Sequence, residues 1–537
     1  MTTITPFAAG SYLTTRNAAQ LTTLKNQLND LSNQVSSGLV SQTYGGLGSA
    51  RSTALSAQAT LSALSGYAAG ITAGQTRTNL AVTSLTQVAS LGTSASQTLN
   101  NGLQSVAVNS VAGRSTALGN LQTALDALNQ SAAGNYLFGG SDASTQPVLD
   151  VDTVLNGTTN SVGGPVAGLS AVIAERVGAE LGAGGNGRLT QSPPPTSTNT
   201  TNAVTITDEA DSATRGQFGF TLNGAPTVTG TALTQTYTPA ANGNPASFTL
   251  GLTAQPKEGD SATFTLQLPD GSLKTLTLTA AATADPTSTT SFAIGSSTTD
   301  TMNNLSATLN KALTGLADST LKVSATTAAA TSFFSGAKNG GPTGTGVMPE
   351  RVTFNTAGNP TGYHTGNADD TVLWYQGENT YTVPPNPQPT SALDTQSIQV
   401  SAGASISTGA RANDTAIQNV LAGLATMAYA LPTTSDGSTN ATYQAVVDQA
   451  GGLLASADTS PSVQDTVTQL SLASARLSSA STTNTATQNT VQNTLDGIEQ
   501  APTEEVIAKL LDVQNRLQAS YQITATLSKL SLVNYIS

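Results

Sequence analysis

Leu21-Thr22-Thr23-Leu24-Lys25-Asn26-Gln27-Leu28-Asn29-Asp30-Leu31-Ser32-Asn33-Gln34-Val35 decides the fold. Leu21, Leu24, Leu28, Leu31 and Val35 step three, four, three and four apart, the a/d seam of a coiled coil. A stripe of this kind must be covered, and a matching one lies at the other end of the chain. There Val506, Leu510, Val513 and Leu517 step four, three and four apart, followed by Ile523, Leu527 and Leu530. Ala501-Pro502 suits a helix start, and Glu504 and Glu505 suit the positive end of that helix's dipole. The two stripes predict that the chain ends pack as one helical unit, with these apolar residues as the candidate assembly interface.

Both helices are rich in weak helix formers: Asn26, Asn29, Asn33, Ser36 and Ser37 in the first, Asn515, Ser520, Thr524 and Thr526 in the last. An isolated helix of that content is marginal in water, so the ends are expected to order against each other or against neighbouring subunits. A head-to-tail contact that does not close makes a helical filament. A closed bundle is equally compatible with the pattern.

Working outward, Gly38 stands where the first helix would end, and Tyr44-Gly45-Gly46-Leu47-Gly48 reads as a loop. A second helical stretch carries Leu55, Leu61, Leu64, Ile71, Leu80, Leu85, Val88 and Leu91; a third carries Leu118, Leu121, Leu125 and Leu128. On the return, Ile417, Leu421 and Leu424, then Val463, Val467, Leu470 and Leu477, read as helix. Between them the pattern changes. Ala262-Thr-Phe264-Thr-Leu266-Gln-Leu268 alternates, turns at Pro269-Asp270-Gly271 and returns from Leu273 to Thr279, a hairpin. Gly182 to Gly187 followed by Ser192-Pro193-Pro194-Pro195-Thr196 reads as a linker, and one helix is expected over Met302, Leu305, Leu309 and Leu313. The fold class is therefore α+β: an elongated helical base at residues 1–143 and 401–537, with a β-rich outer region inserted at 144–400 that has room for two subdomains.

The chain has 537 residues, enough for roughly three to five domains. Only 9% of them are charged, against about 25% in ordinary soluble domains, and the net charge is −12. No basic footprint for nucleic acid exists, and the scattered Lys and Arg do not mark an anionic membrane surface. Cysteine is absent, which removes disulfides, thiolate metal sites and thiol nucleophiles. Met1-Thr2-Thr3-Ile4-Thr5-Pro6 has neither the basic nor the apolar region of a signal peptide, and no apolar run is long enough to span a membrane. The expectation is a cytosolic protein or one exported without a cleaved signal.

Catalytic chemistry is poorly supplied. The single histidine, His364, reads as an exposed loop residue in Gly362-Tyr363-His364-Thr365-Gly366, so a Ser-His-Asp triad is not expected. Asp150 with Asp152, and Asp369 with Asp370, lack the further spaced ligands of a calcium loop. Gly45-Gly46-Leu47-Gly48 lacks the Lys-Ser/Thr of a phosphate loop. Paired carboxylates remain open in principle, but Trp374 alone makes no sugar platform. Tyr67, Tyr136 and Tyr521 read as core or interface residues. No cofactor, no metal and no enzymatic activity are expected.

Four strings carry a family resemblance. Asn135-Tyr136-Leu137-Phe138-Gly139-Gly140-Ser141-Asp142 with Thr145-Gln146-Pro147 resembles the segment closing the N-terminal helical part of flagellin-related hook-associated proteins. Leu517-Gln518-Ala519-Ser520-Tyr521-Gln522, running into Leu530-Ser531-Leu532-Val533-Asn534-Tyr535, is similar to that family's last helix. Asp370-Thr371-Val372-Leu373-Trp374-Tyr375-Gln376-Gly377-Glu378 and Gly409-Ala410-Arg411-Ala412-Asn413 resemble segments of its alphaproteobacterial hook–filament junction members. Each string is weak alone; their order relative to the termini makes the set specific, and most of the middle carries no such likeness. The resemblance implies export unfolded through the flagellar type III channel, terminal helices forming an inner tube, and a variable domain facing outward. Partners would be further copies in a ring or helical array, other hook-associated proteins, hook protein or flagellin, with room for an export chaperone. Ser36-Ser37-Gly38 is followed by Leu39-Val40-Ser41-Gln42, without the basic residue usual in filament flagellins, which favours the junction type over a filament flagellin. A secreted adhesin or sugar-binding surface protein is the reading from a different class.

Overall fold

Helix covers 53% of the protein and strand 18%, compatible with the α+β class. The computed structural model describes residues 6–103, 110–195, 202–341, 343–382, 388–432, 439–454 and 462–536. The helices are α1 (Pro6–Ser37), α2 (Arg51–Leu103), α3 (Ser110–Ala127), α4 (Val151–Asn156), α5 (Leu169–Leu181), α6 (Thr298–Leu316), α7 (Lys322–Ser335), α8 (Thr415–Ala430), α9 (Thr439–Leu454), α10 (Val463–Glu499) and α11 (Thr503–Ile536). Among the described residues no helix is long and apolar enough to cross a membrane.

The chain divides into two compact units. The first comprises 1–73, 399–405 and 476–537; the second comprises 74–398 and 406–475. Two of the divisions thus fall inside α2 and α10, and the other two fall at either end of the short segment 399–405. Long helices explain the first two: a helix has no linker of its own, and its neighbours change along its length.

In the first unit α1 runs along α11. The opening of α2 packs on the end of α10 through Ala54, Ala57 and Leu495, with Leu47, Leu61, Val491 and Ile498 around them. Asn484, buried in α10, donates from Nδ2 to the Leu64 carbonyl at 3.0 Å. α1 ends at Gly38 in the left-handed region (φ 72°), as a helix stop requires. The two interhelical loops then pair: Val40 N–H donates to the Glu499 carbonyl at 2.7 Å, and Ala501 N–H to the Gly38 carbonyl at 2.9 Å. The Pro502 carbonyl accepts from Val506 N–H at 2.9 Å, so Pro502 sits at the N-cap and the first helical turn begins after it.

The second unit holds two large cores. The helical one gathers α3, α8 and α9 with Leu85, Val88 and Leu99 of α2, and draws in Val172 and Ile173 of α5, Phe333 and Phe334 of α7, and the extended segment Val372, Trp374 and Tyr375. The middle of the sequence is therefore less uniform than expected: helices α4, α5 and α7 accompany the single predicted α6, and much of 148–181 and 323–375 belongs to a helical core.

The β-rich core is narrower, running from Leu189 to Leu321. Its strands are β1 (Thr190–Gln191), β2 (Ala203–Thr207), β3 (Thr221–Leu222), β4 (Thr227–Val228), β5 (Leu233–Thr238), β6 (Ser247–Leu252), β7 (Ser261–Gln267), β8 (Leu273–Ala281) and β9 (Ser291–Ala293). One sheet has the order β1-β2-β6-β5; the other has β9-β8-β7-β3, with β4 also on β7. The expected hairpin is β7–β8, in register from Ser261 opposite Thr279 to Gln267 opposite Leu273. Alternation works as the sequence demands: Ala262, Phe264 and Leu266 are buried, with the half-buried Thr263 and Thr265 between them. Met302, Leu305, Leu309 and Leu313 of α6 close the core, all with no exposed surface. A further hairpin, β10 (Glu350–Phe354) with β11 (Pro360–Thr365), lies against α5.

Candidate assembly interface

Leu21, Leu24, Leu28, Leu31 and Val35 are all half-buried along α1. On α11, Val506 and Val513 are buried and Leu510 and Leu517 half-buried. Gln27, Asp30 and Leu31 line one groove with Lys509, Asp512 and Val513, which brings the two stripes together. Continuing in steps of three and four, the covered positions of α11 are Ser520 and Thr524, both half-buried. Ile523 is instead 57% exposed, one residue off the seam. The side chains of Leu527 and Leu530 lie outside the described residues.

A cysteine pair at Leu31 and Val513 in this cysteine-free chain is therefore expected to crosslink within a single dilute subunit. A pair at Leu31 and Leu511 should crosslink far less, and equal yields from both pairs would mean that α1 has no fixed face on α11. Non-reducing electrophoresis reads the result.

α11 also carries apolar residues that stay largely exposed among the described residues. Ile507 is 41% exposed, Leu511 54% and Tyr521 54%. At 3.6 residues per turn these three share one stripe, about 100° round the helix from the seam. Tyr521, read from sequence as a core or interface residue, belongs to this open stripe.

Three of the four strings that carry the resemblance meet in the second unit. Ala412 N–H donates to the Phe138 carbonyl at 2.9 Å, Gly140 N–H to the Ala410 carbonyl at 3.1 Å, and Glu378 N–H to the Gly139 carbonyl at 2.9 Å. The Tyr375 hydroxyl donates to the Glu378 carbonyl at 2.9 Å. At the centre the Arg411 guanidinium, 6% exposed, lies 3.9 Å from the Glu378 carboxylate, 11% exposed. Gly140 has φ 67°, and a Cβ there would stand 2.5 Å from that carboxylate, so the motif's second glycine is required both for backbone conformation and for room. Arg411 also donates to the Thr390 carbonyl and Gln396 to that of Gly140. Burial raises the pKa of Asp414, which is close enough to Arg411 for the guanidinium to oppose that shift. This knot ties the segment leaving the helical part to the two segments returning to it.

The residues considered for chemistry have other occupations. Asp150 caps α4, accepting from Thr153 N–H at 2.9 Å, and Asp152 accepts from Asn156 at 2.7 Å. Asp370 accepts from Asn367 N–H at 2.9 Å and lies 3.8 Å from Arg351. His364 is not in a loop but on β11, opposite Arg351 of β10. Its Nδ1 is 3.0 Å from the Thr353 hydroxyl and its Nε2 4.0 Å from the Asp370 carboxylate. A triad needs the carboxylate hydrogen-bonded to one ring nitrogen, and 4.0 Å is too long. Among the described residues no group of three His, Cys, Asp or Glu side chains could hold a metal ion.

Two buried carboxylates stand out because the sequence gives no sign of them. Glu180 accepts from Gly219 N–H at 2.7 Å and Asp208 from Leu222 N–H at 2.9 Å, so both hold the segment that sends Phe218 towards α5 and Phe220 and Leu222 into the β-rich core. Burial pushes Glu180 up to about 7 and Asp208 up to about 6. An acid whose pKa is raised by folding binds its proton more tightly in the folded state, so stability rises as pH falls from above the folded pKa towards the ordinary value. The second unit is therefore expected to melt at higher temperature at pH 5.5 than at pH 8. Glu180→Gln should flatten that dependence, with the Glu180 contribution on the order of 2–3 kcal/mol. A transition that falls on acidification over this range would show that burial is not what sets these groups.

No protein-family model and no curated protein matches the chain.

Proposed function

We propose that the chain is a non-enzymatic structural subunit of the bacterial flagellum, of the hook–filament junction type, exported without a cleaved signal and assembled in a helical array. In this reading the paired terminal helices act as a coiled-coil base and the β-rich core faces outward. The observation that carries it is the state of α11: one stripe is covered by α1, while Ile507, Leu511 and Tyr521 stand open beside it. A subunit that functions alone has no use for such a stripe on its terminal helix, whereas a neighbour in an array would cover it. The convergence of the two junction-like strings and the Asn135–Asp142 string on the Arg411–Glu378 knot supports the same reading, because segments far apart in sequence are used together.

Electron microscopy of cells lacking the protein is the test. Bare hooks, with filament protein shed into the medium, are the expected result. Loss of filament protein itself would point to a filament flagellin, and intact filaments with lost attachment to an adhesin; either outcome overturns the junction reading.

A further inference from the structure

Strand β5 forms one edge of its sheet, paired with β6 from Leu252 opposite Leu233 to Ser247 opposite Thr238. The Ala232 carbonyl accepts from Thr253 N–H at 2.9 Å. Main-chain groups alternate along a strand, so Thr234, Thr236 and Thr238 turn their N–H and C=O towards β6, and Leu233, Gln235 and Tyr237 turn theirs outward. Among the described residues nothing receives those outward groups. Thr234, Gln235, Thr236 and Thr238 are exposed, so the edge is open beyond the buried Leu233.

Edge strands are ordinarily kept from pairing by charge, proline or a bulge. β5 has none of these within it, and no charged residue occurs anywhere from Gly216 to Pro256. In a chain of net charge −12, a second copy approaching β5 meets no charge on the strand itself.

We propose that β5 is a pairing edge for β5 of a second copy of this chain, antiparallel, joining the two sheets into one. With Thr236 opposite itself, Thr234 faces Thr238 of the other copy and Gln235 faces its Tyr237. The outward main-chain groups of Gln235 and Tyr237 then satisfy each other, and the threonines fall at the closely spaced positions between them. The protein already uses such contacts internally: the hydroxyls of Thr205 and Thr249 are 2.8 Å apart across β2 and β6, and those of Thr263 and Thr277 2.9 Å apart across β7 and β8. Self-complementarity is what selects a second copy over an unrelated peptide. The pairing is isologous, closes at two copies, and does not depend on the flagellar reading. One short strand edge buries little surface, so the dimer is weak and concentration-dependent.

Three variants of the full chain test it by sedimentation velocity over a concentration series. Gln235→Lys and Gln235→Glu each place like charges near each other across the edge and should each weaken self-association about threefold to fivefold. An equimolar mixture of the two should recover it as a heterodimer, a result that misfolding of either variant could not give. Thr236→Cys should form a disulfide-linked dimer on mild oxidation. A chain that is monomeric throughout the series, or association unaffected by both charge variants and not restored on mixing, would overturn the proposal; the latter places the contact elsewhere, on α11 for example.

Discussion

Trp374→Ala is expected to destabilise the second unit by about 3–5 kcal/mol, measured by denaturant unfolding followed by circular dichroism. Trp374 has no exposed surface. Its indole N–H donates to the Phe334 carbonyl at 2.9 Å, and its ring meets Phe334 edge-on with centroids 5.4 Å apart. Its own carbonyl accepts from Leu149 N–H at 3.0 Å, so the residue joins α7, the strand after the helical part, and the returning segment. Truncation leaves a large void and an unpaired buried carbonyl. Trp374→Phe keeps most of the volume and should cost about 1–3 kcal/mol, mainly for the lost hydrogen bond. A cost under about 1 kcal/mol for the alanine variant would mean that this segment lies on the helical core without forming part of it.

What was legible in the sequence is what repeats with a clear period. The β7–β8 hairpin alternates strictly and turns at Pro269-Asp270-Gly271, and α6 shows four apolar residues on one face; both are found where expected. α7 was invisible because Val323-Ser-Ala-Thr-Thr-Ala-Ala-Ala-Thr-Ser332 offers small residues on every face, and its burial comes from close approach, not from hydrophobic contrast. α5 interleaves Glu175, Arg176 and Glu180 with its apolar residues, so no clean stripe marks it in the sequence. Glu175 pairs with Arg351 of β10, and Glu180 is inside. The knot could be named string by string, but nothing in its strings shows that Arg411 and Glu378 meet, because that pairing depends on backbone contacts between residues hundreds of positions apart. Ile523 shows the limit of counting: a seam read from apolar residues takes the isoleucine, whereas the helix turns Thr524 to the covered side.

If the chain assembles as proposed, replacing both Ile507 and Leu511 by serine should abolish incorporation into the array while leaving the folded subunit almost unchanged. Both side chains are exposed in the subunit, and surface substitutions of that kind usually shift stability by less than about 0.5 kcal/mol. The contrast is with Leu510→Ala and Leu517→Ala, which strip the half-buried seam against α1 and should loosen the terminal helices, with up to about 2 kcal/mol lost at each site. Neither pair touches the β-rich core, whose transition should stay where it is in both. The pairs therefore separate two roles that the apolar residues of α11 combine: one stripe holds the chain ends to each other, and the other is free for a neighbour. In an array every subunit repeats the same contact, so a modest loss at one interface multiplies along the assembly and polymer yield falls far more steeply than subunit stability. Calorimetry and pelleting of assembled material from the same preparations read both quantities. Normal pelleting by the serine pair would show that the open stripe meets no neighbour, and would remove the main support for the array.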